Sequence, residues 1–231
     1  MKIPSFLLEN PLQYCCLTEP LRLGRAQLAE ACNSGALVYD PDARLHLIAA
    51  KDEKTAAALL SRVKNPVFLM ICDGEFARLA DDLPFQYSMN CLQAVYRRPD
   101  PPDPDVRLNI APPDAAQLAC IIENYTMDSP DELRRRAEKG ELFFATDKNG
   151  ADVGFVGLHP EGCFGVLKVL EAQRGKGYGA ALEGFIIRFC LQTGRLPYCQ
   201  VDVNNKISLA LQQKLGLEFS SKPMKMLWND F

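Results

Sequence analysis

Gln173 to Gly179 reads QRGKGYG, with glycine at 175, 177 and 179 and the apolar run Ala180-Ala181-Leu182 directly behind. A strand, a glycine-rich turn and a helix N-terminus in that order aim several backbone N–H groups at one point, where the helix dipole also favours negative charge. Such a turn can hold a phosphate or pyrophosphate. Glycine suits it because a Cβ would hold the ligand off the backbone and because nests of this kind often need positive φ. A bare strand-to-helix turn would usually need only one glycine. Walker A chemistry is excluded, since Gly175-Lys176 is followed by Gly177 and not by Ser or Thr. The dinucleotide fingerprint is a closer rival: Gly175 to Ala180 satisfies G-x-G-x-x-A, and Asp202 ends the next strand, where a ribose-binding acid could sit.

The elements that must position this turn surround it. Val106 to Ile110 reads as a strand, and a helix follows from about Pro113 to Glu123. Ser129-Pro130-Asp131-Glu132 announces a second helix, with serine as N-cap, proline at the first helical position and glutamate at the third in a capping box. Leu142 to Thr146 and Val153 to Leu158 flank Lys148-Asn149-Gly150 as a hairpin. His159-Pro160-Glu161-Gly162 then turns the chain into a third antiparallel strand, Phe164 to Leu170. After the glycines come a helix from about Tyr178 to Leu191, a strand from Tyr198 to Val203, and a helix opened by Asn204-Asn205 and ended by Gly216. Two short strand-like pieces lie around Phe219 and Met226 to Trp228. The order β-α-α-β-β-β-α-β-α-β speaks against the dinucleotide reading. That motif belongs on the first strand of a parallel sheet, and too little chain follows Asp202 to build further βαβ units.

Upstream, prolines 99, 101, 102 and 104 alternate with aspartates 100, 103 and 105, removing backbone donors and apolar burial together. This predicts a small α/β N-terminal domain over 1–98, a linker over 99–105 and a second domain over 106–231. The first domain shows apolar runs at Ala36 to Tyr39, Leu45 to Ala49 and Val67 to Ile71, with a helix capped by Asp52 between the last two. It lacks a glycine-rich loop and any catalytic cluster, so a substrate-shaping or dimerising role suits it. A homodimer stays open.

With 231 residues, 48% hydrophobic and 24% charged, the chain has material for real cores. A net charge of −3 and the lack of basic runs argue against nucleic-acid partners. Nine scattered cysteines and two histidines form neither a disulfide framework nor a zinc pattern, so no metal is expected. The start, MKIPSFLLENP, is too short in apolar residues for a signal segment, and no apolar run reaches membrane-spanning length. A cytoplasmic location and no membrane partner are expected.

Residues 106–231 resemble the GCN5-related N-acetyltransferases (GNAT). Arg174 to Gly179 matches that family's R/Q-x-x-G-x-G/A loop, and Asn205 to Gly216, NKISLALQQKLG, is similar to its N-x-x-A-x-x-L-Y-x-K-x-G motif. Gly194 to Asn205 resembles the FR47-like branch that includes the glycine N-acyltransferases. The resemblance implies a mixed, mostly antiparallel sheet flanked by helices. It also implies acyl transfer from acetyl-CoA, or another short acyl-CoA, to a primary amine of a small molecule or amino acid. The pyrophosphate would sit on Arg174, Gly175, Lys176, Gly177, Tyr178, Gly179 and Ala180, with Asn205 also on the cofactor side. The backbone of Leu167, Lys168 and Val169 would pair with the pantetheine amides as an added strand.

Two positions depart from the family. Its thiolate-protonating tyrosine falls at Gln212, and a carboxylate some relatives carry on the strand before Asn205 is Gln200. The remaining base candidates are Glu161 and His159, at the start of the cofactor strand, with Tyr198 and Tyr178 as weaker acid candidates. A degenerate transferase that only senses acyl-CoA is the non-enzymatic alternative.

Overall fold

The structure is a computed structural model describing residues 3–229; Met1 and Lys2 of the N-terminal stretch and the last two residues lie outside it. Contacts divide the chain into two compact units. One takes in the chain up to Val95, Tyr198–Ala210 and the chain from Leu217; the other takes in Tyr96–Pro197 and Leu211–Gly216.

The first unit opens with helices α1 (Ser5–Glu9) and α2 (Cys15–Arg22), followed by strands β1 (Gln27–Cys32), β2 (Gly35–Asp40) and β3 (Leu45–Ala50). Next come α3 (Glu53–Leu60), β4 (Phe68–Ile71), a 3-10 turn over Gly74–Ala80 and β5 (Tyr87–Val95). Asp52 caps α3 as its sequence suggests, its side chain accepting from the Thr55 N–H at 2.8 Å. Helix α3 lays Leu59 on Leu37, Ile48, Leu69 and Ile71 of the sheet.

The domain cut expected at residues 99–105 falls differently in the contact pattern, for a reason that lies in β5. This nine-residue strand has two long edges to satisfy. From the far end of the chain, β10 (Tyr198–Asp202) pairs along Cys91–Val95, while β11 (Glu218–Phe219) and β12 (Met224–Trp228) pair with the opposite edge. Strand β12 also pairs with β4. The sheet order is β1-β2-β3-β4-β12-β5-β10, and all its pairings are antiparallel except β3 with β4.

The second unit contains β6 (Asn109–Ala111), α4 (Ala115–Asn124), α5 (Pro130–Glu138), β7 (Leu142–Thr146), β8 (Asp152–Leu158), β9 (Phe164–Val169) and α6 (Tyr178–Gln192). Its sheet runs β6-β7-β8-β9, antiparallel throughout. The period-two alternation of β7 sends neighbouring side chains to opposite faces. Leu142 and Phe144 join Ile121 of α4 and Leu133 of α5 in one core, while the Phe143 ring meets Phe185 and Phe189 of α6 at 5.0 and 4.9 Å.

Both helices on the first of those faces are capped. The reciprocal capping box belongs to α4, between Asp114 and Gln117. At α5 only half of the expected box forms: Ser129 accepts from Glu132 N–H at 3.2 Å, but the Glu132 carboxylate turns to Arg136 instead of back to the cap. Helix α7 (Lys206–Leu215) completes the element list. The two strands around the glycine turn, β9 and β10, belong to different sheets, and β10 pairs antiparallel to β5, so the turn does not sit in a dinucleotide-type βαβ unit. Among the described residues no helix is long and apolar enough to cross a membrane.

Candidate functional site

Strand β9 is the edge of its sheet and carries a bulge. Phe155 of β8 faces Lys168 and Gly157 faces Gly165, so Val156 alone opposes the two residues Val166 and Leu167. Val166 takes φ +49°, a left-handed conformation that a β-branched side chain resists at a cost of about 1–3 kcal/mol. Strain of that size persists only where surrounding structure holds it. Here Val166 is buried in the core of Ile121, Leu133 and Phe155, and the Lys168 ammonium ties the strand to the Asn124 carbonyl at the end of α4, at 2.6 Å.

Beyond β9, a 3-10 turn over Glu171–Gln173 leads into the exposed loop Arg174 to Gly177 and then α6. Gly175 and Gly177 stand at φ +79° and +80°, conformations that call for glycine. The N–H groups of residues 175–179 bond to no backbone carbonyl among the described residues. Gly177 is the N-cap of a fifteen-residue helix and supplies no side-chain cap. The loop therefore presents open donors at a positive helix end, a geometry suited to an anion. Lys176 folds its ammonium back onto Gln173 Oε1 at 2.8 Å.

On the turn between β8 and β9, the His159 ring lies over β9: a Cβ added to Gly165 would stand 2.3 Å from His159 Nε2. Its other nitrogen, Nδ1, is 3.9 Å from Asp128 Oδ2. The guanidinium of Arg136, only 1% exposed, anchors this corner. It reaches Asp128 Oδ1 at 3.1 Å, Glu132 Oε1 at 3.2 Å and the Leu158 carbonyl at 2.8 Å. Glu161, 5% exposed, accepts from the Cys163 thiol at 3.3 Å. The partly buried Tyr125 phenol is held well above its usual range by desolvation and by the nearby Asp128 charge.

A second buried polar pair joins α6 to α7. Gln212 Nε2 donates to Glu183 Oε1, and both side chains are nearly fully buried. Glu183 Oε2 and Gln212 Oε1 have no hydrogen-bond partner. Burial pushes the Glu183 carboxyl up to about 7, partly offset by the Gln212 amide.

Residues 111–217 match the family model described as the acetyltransferase (GNAT) family. The match covers a little under half of the chain and takes in the glycine loop and most of the second compact unit. Solved structures agree in fold. A Drosophila protein at 13% identity superposes with a TM-score of 0.66, covering 96% of this chain and 89% of that one. A GCN5-related N-acetyltransferase from Kribbella flavida, at 11% identity, gives 0.56 over 95% and 96%. A GNAT-family acetyltransferase from Colwellia psychrerythraea, at 13% identity, gives 0.52 over 99% and 98%. No curated protein matches the chain.

Within the GNAT segment, the loop residues Arg174 to Ala180 and the strand residues Leu167 to Val169 follow one another as the sequence suggests. Their roles divide, however. Gly179 faces inward: its added Cβ would lie 3.6 Å from Leu211 and 4.0 Å from Val169, so its bareness serves the packing of α6. Asn205 uses its side-chain oxygen to cap α7, accepting from Ser208 N–H at 3.0 Å. Asp202 accepts from the Asn204 N–H at 2.9 Å in a tight turn, a use far from ribose binding. Tyr198 is fully buried, and Gln200 pairs with the Gln93 amide oxygen at 3.1 Å, so neither offers acid or base. Asp128, Arg136 and Glu183 escaped the sequence reading. The only available signal was polarity at positions where helix periodicity demands burial, as at Arg136 within PDELRRRAE and Glu183 within YGAALEGF.

Proposed function

We propose that this protein is an N-acyltransferase that moves an acetyl or other short acyl group from acyl-CoA to a primary amine of a small molecule or amino acid. The observation that carries the reading is the sequence of β9 and its loop: a bulged edge strand with an open backbone edge runs into a turn of unpaired N–H groups at a helix N-terminus. An acyl-CoA has the matching chemistry, a peptide-like pantetheine arm for the edge and a pyrophosphate for the turn. The bulge leaves backbone of β9 outside the ladder, where an N–H can stabilise the oxyanion formed on the thioester carbonyl.

Of the two base candidates, the geometry favours His159. Its ring lies over β9 one residue before the bulge and is 23% exposed, whereas Glu161 is enclosed and engaged by Cys163. Titration with acetyl-CoA should raise the thermal midpoint, by about 2.7 kcal/mol of stability at a hundredfold excess over Kd, while NADH leaves it unchanged. Thiol release across a panel of amino acids and polyamines should identify the acceptor. His159→Asn should lower that turnover by about 10²-fold or more with acetyl-CoA binding intact. Stabilisation by NADH alone would overturn the reading, and binding without turnover would mark an acyl-CoA sensor.

A further inference from the structure

The two nitrogens of His159 point to different chemistry. Nε2 lies against Gly165, beside the bulge, and Nδ1 faces Asp128 Oδ2 at 3.9 Å. Asp128 Oδ2 is buried and has no hydrogen-bond partner, whereas Oδ1 is held by Arg136. The separation closes to a hydrogen bond with a shift of about 1 Å, and such bonds often tighten only in the substrate complex. Arg136 grips both ends of the arrangement, because it binds Asp128 and also the carbonyl of Leu158, the residue immediately before His159. A fully buried guanidinium spanning two such points, by an ion pair at one and a hydrogen bond at the other, restrains their relative position more than either contact would alone.

We propose that Asp128 is the positioning residue for His159: it accepts Nδ1–H on Oδ2, fixes the neutral tautomer whose Nε2 lone pair faces β9, and so defines the atom that takes the amine proton. The inference rests on the acyl-transfer reading for its consequence but not for its geometry. In the reaction, the acceptor ammonium gives one proton to Nε2 and becomes a free amine. The amine nitrogen then bonds to the thioester carbonyl carbon, whose π pair moves to oxygen. As the carbonyl re-forms, the C–S bond breaks and its electron pair leaves on sulfur. The amide nitrogen loses a second proton to solvent, and the imidazolium returns the first to the thiolate. Asp128 takes no part in the proton transfer and stabilises the imidazolium while it exists.

The charged groups gathered around the pair are Asp128 from the α4–α5 connection, Glu132, Arg135 and Arg136 from α5, and Glu161 from the turn itself, with Tyr125 and Cys163 as further titratable neighbours. Arg135 and Arg136 offset the carboxylates of Glu132 and Asp128, and Glu161 adds a further carboxylate on the turn.

The chain contains only two histidines, which makes the test direct. His46 sits in β3, half-buried, with burial holding its imidazole below the usual value, so its resonance titrates at lower pH. In ¹⁵N-histidine NMR of the full chain without substrate, with His159→Asn as the assignment control, neutral His159 should carry its proton on Nδ1. Asp128→Asn should move it towards Nε2–H. Asp128→Glu should restore the wild-type pattern in part. In turnover, Asp128→Asn should cut kcat by about 10²-fold or more, leave KM for acetyl-CoA within a few-fold, and shift the acidic limb of kcat/KM to lower pH. An unchanged tautomer in a folded Asp128→Asn protein would overturn the dyad, whatever the turnover. Wild-type His159 protonated on Nε2 in its neutral form would overturn it without any variant. An absence of turnover with an intact Nδ1–H signature would instead count against the acyl-transfer reading alone.

Discussion

Replacing Glu183 by glutamine should stabilise the protein in mild alkali and do almost nothing in mild acid. The buried carboxyl stands at about 7 against an ordinary 4.5, so the folded state holds its proton where the unfolded chain has released it. Stability from this group is therefore complete below about pH 4.5, declines as pH rises towards 7, and is fully lost above it. At about 1.4 kcal/mol per pH unit, the loss reaches about 3 kcal/mol. Glutamine pays no such cost, because it cannot ionise. It also keeps the shape of the pair. Glu183 Oε2 and Gln212 Oε1 lack partners, and a proton between them would close a cyclic acid–amide pair that an amide–amide pair reproduces. Urea unfolding of wild type and Glu183→Gln at pH 5, 6, 7, 8 and 9 isolates the effect, since other titrating groups cancel in the difference. The variant should match wild type within about 1 kcal/mol at pH 5 and exceed it by about 2–3 kcal/mol at pH 8–9. A difference that stays constant across this range, or wild type gaining on the variant as pH rises, would refute the reasoning.

Two further outcomes follow from the same buried chemistry. Arg136→Met keeps the volume but leaves Asp128 without its guanidinium and Glu132 with Arg135 alone, so urea unfolding at pH 7 should show a loss of about 3–5 kcal/mol. Glu161→Gln should retain turnover within about tenfold with an unchanged pH–rate profile, because its carboxylate faces the Cys163 thiol; a displaced acidic limb would return the base to Glu161.

What was readable in the sequence was what is local in the chain. The glycine turn, the Asp52 and Ser129 caps and the hairpin at Lys148-Asn149-Gly150 each depend on residues within a few positions of one another, and each stands close to where the spacing put it. The edges of β5 depend on strands more than a hundred residues later, which no local pattern announces, and β5 itself alternates too weakly to declare a strand. The site divides the same way. The glycine loop and the strand before it were legible because a turn of positive-φ glycines has a composition of its own. Asp128 and His159 were not connected, because the antiparallel return of β8 brings the turn beside the α4–α5 connection, 31 residues away in sequence.

That division bears on the departure at position 212. Gln212 stands where the family's tyrosine would be, and its amide is committed to Glu183 inside the protein. Truncating either member would leave the other buried and unsatisfied, at a cost of about 1–3 kcal/mol, so the pair is retained for the fold whatever it does for the reaction. Proton delivery to the departing thiolate then needs another source, and a thiol with a free pKa of about 8.5 asks for little help. On the proposed reaction the imidazolium of His159 already carries the proton taken from the acceptor ammonium. Returning it to sulfur makes one residue serve as base and then as acid, which removes the need for a phenol at 212 and places the pH dependence of both steps on the same titration.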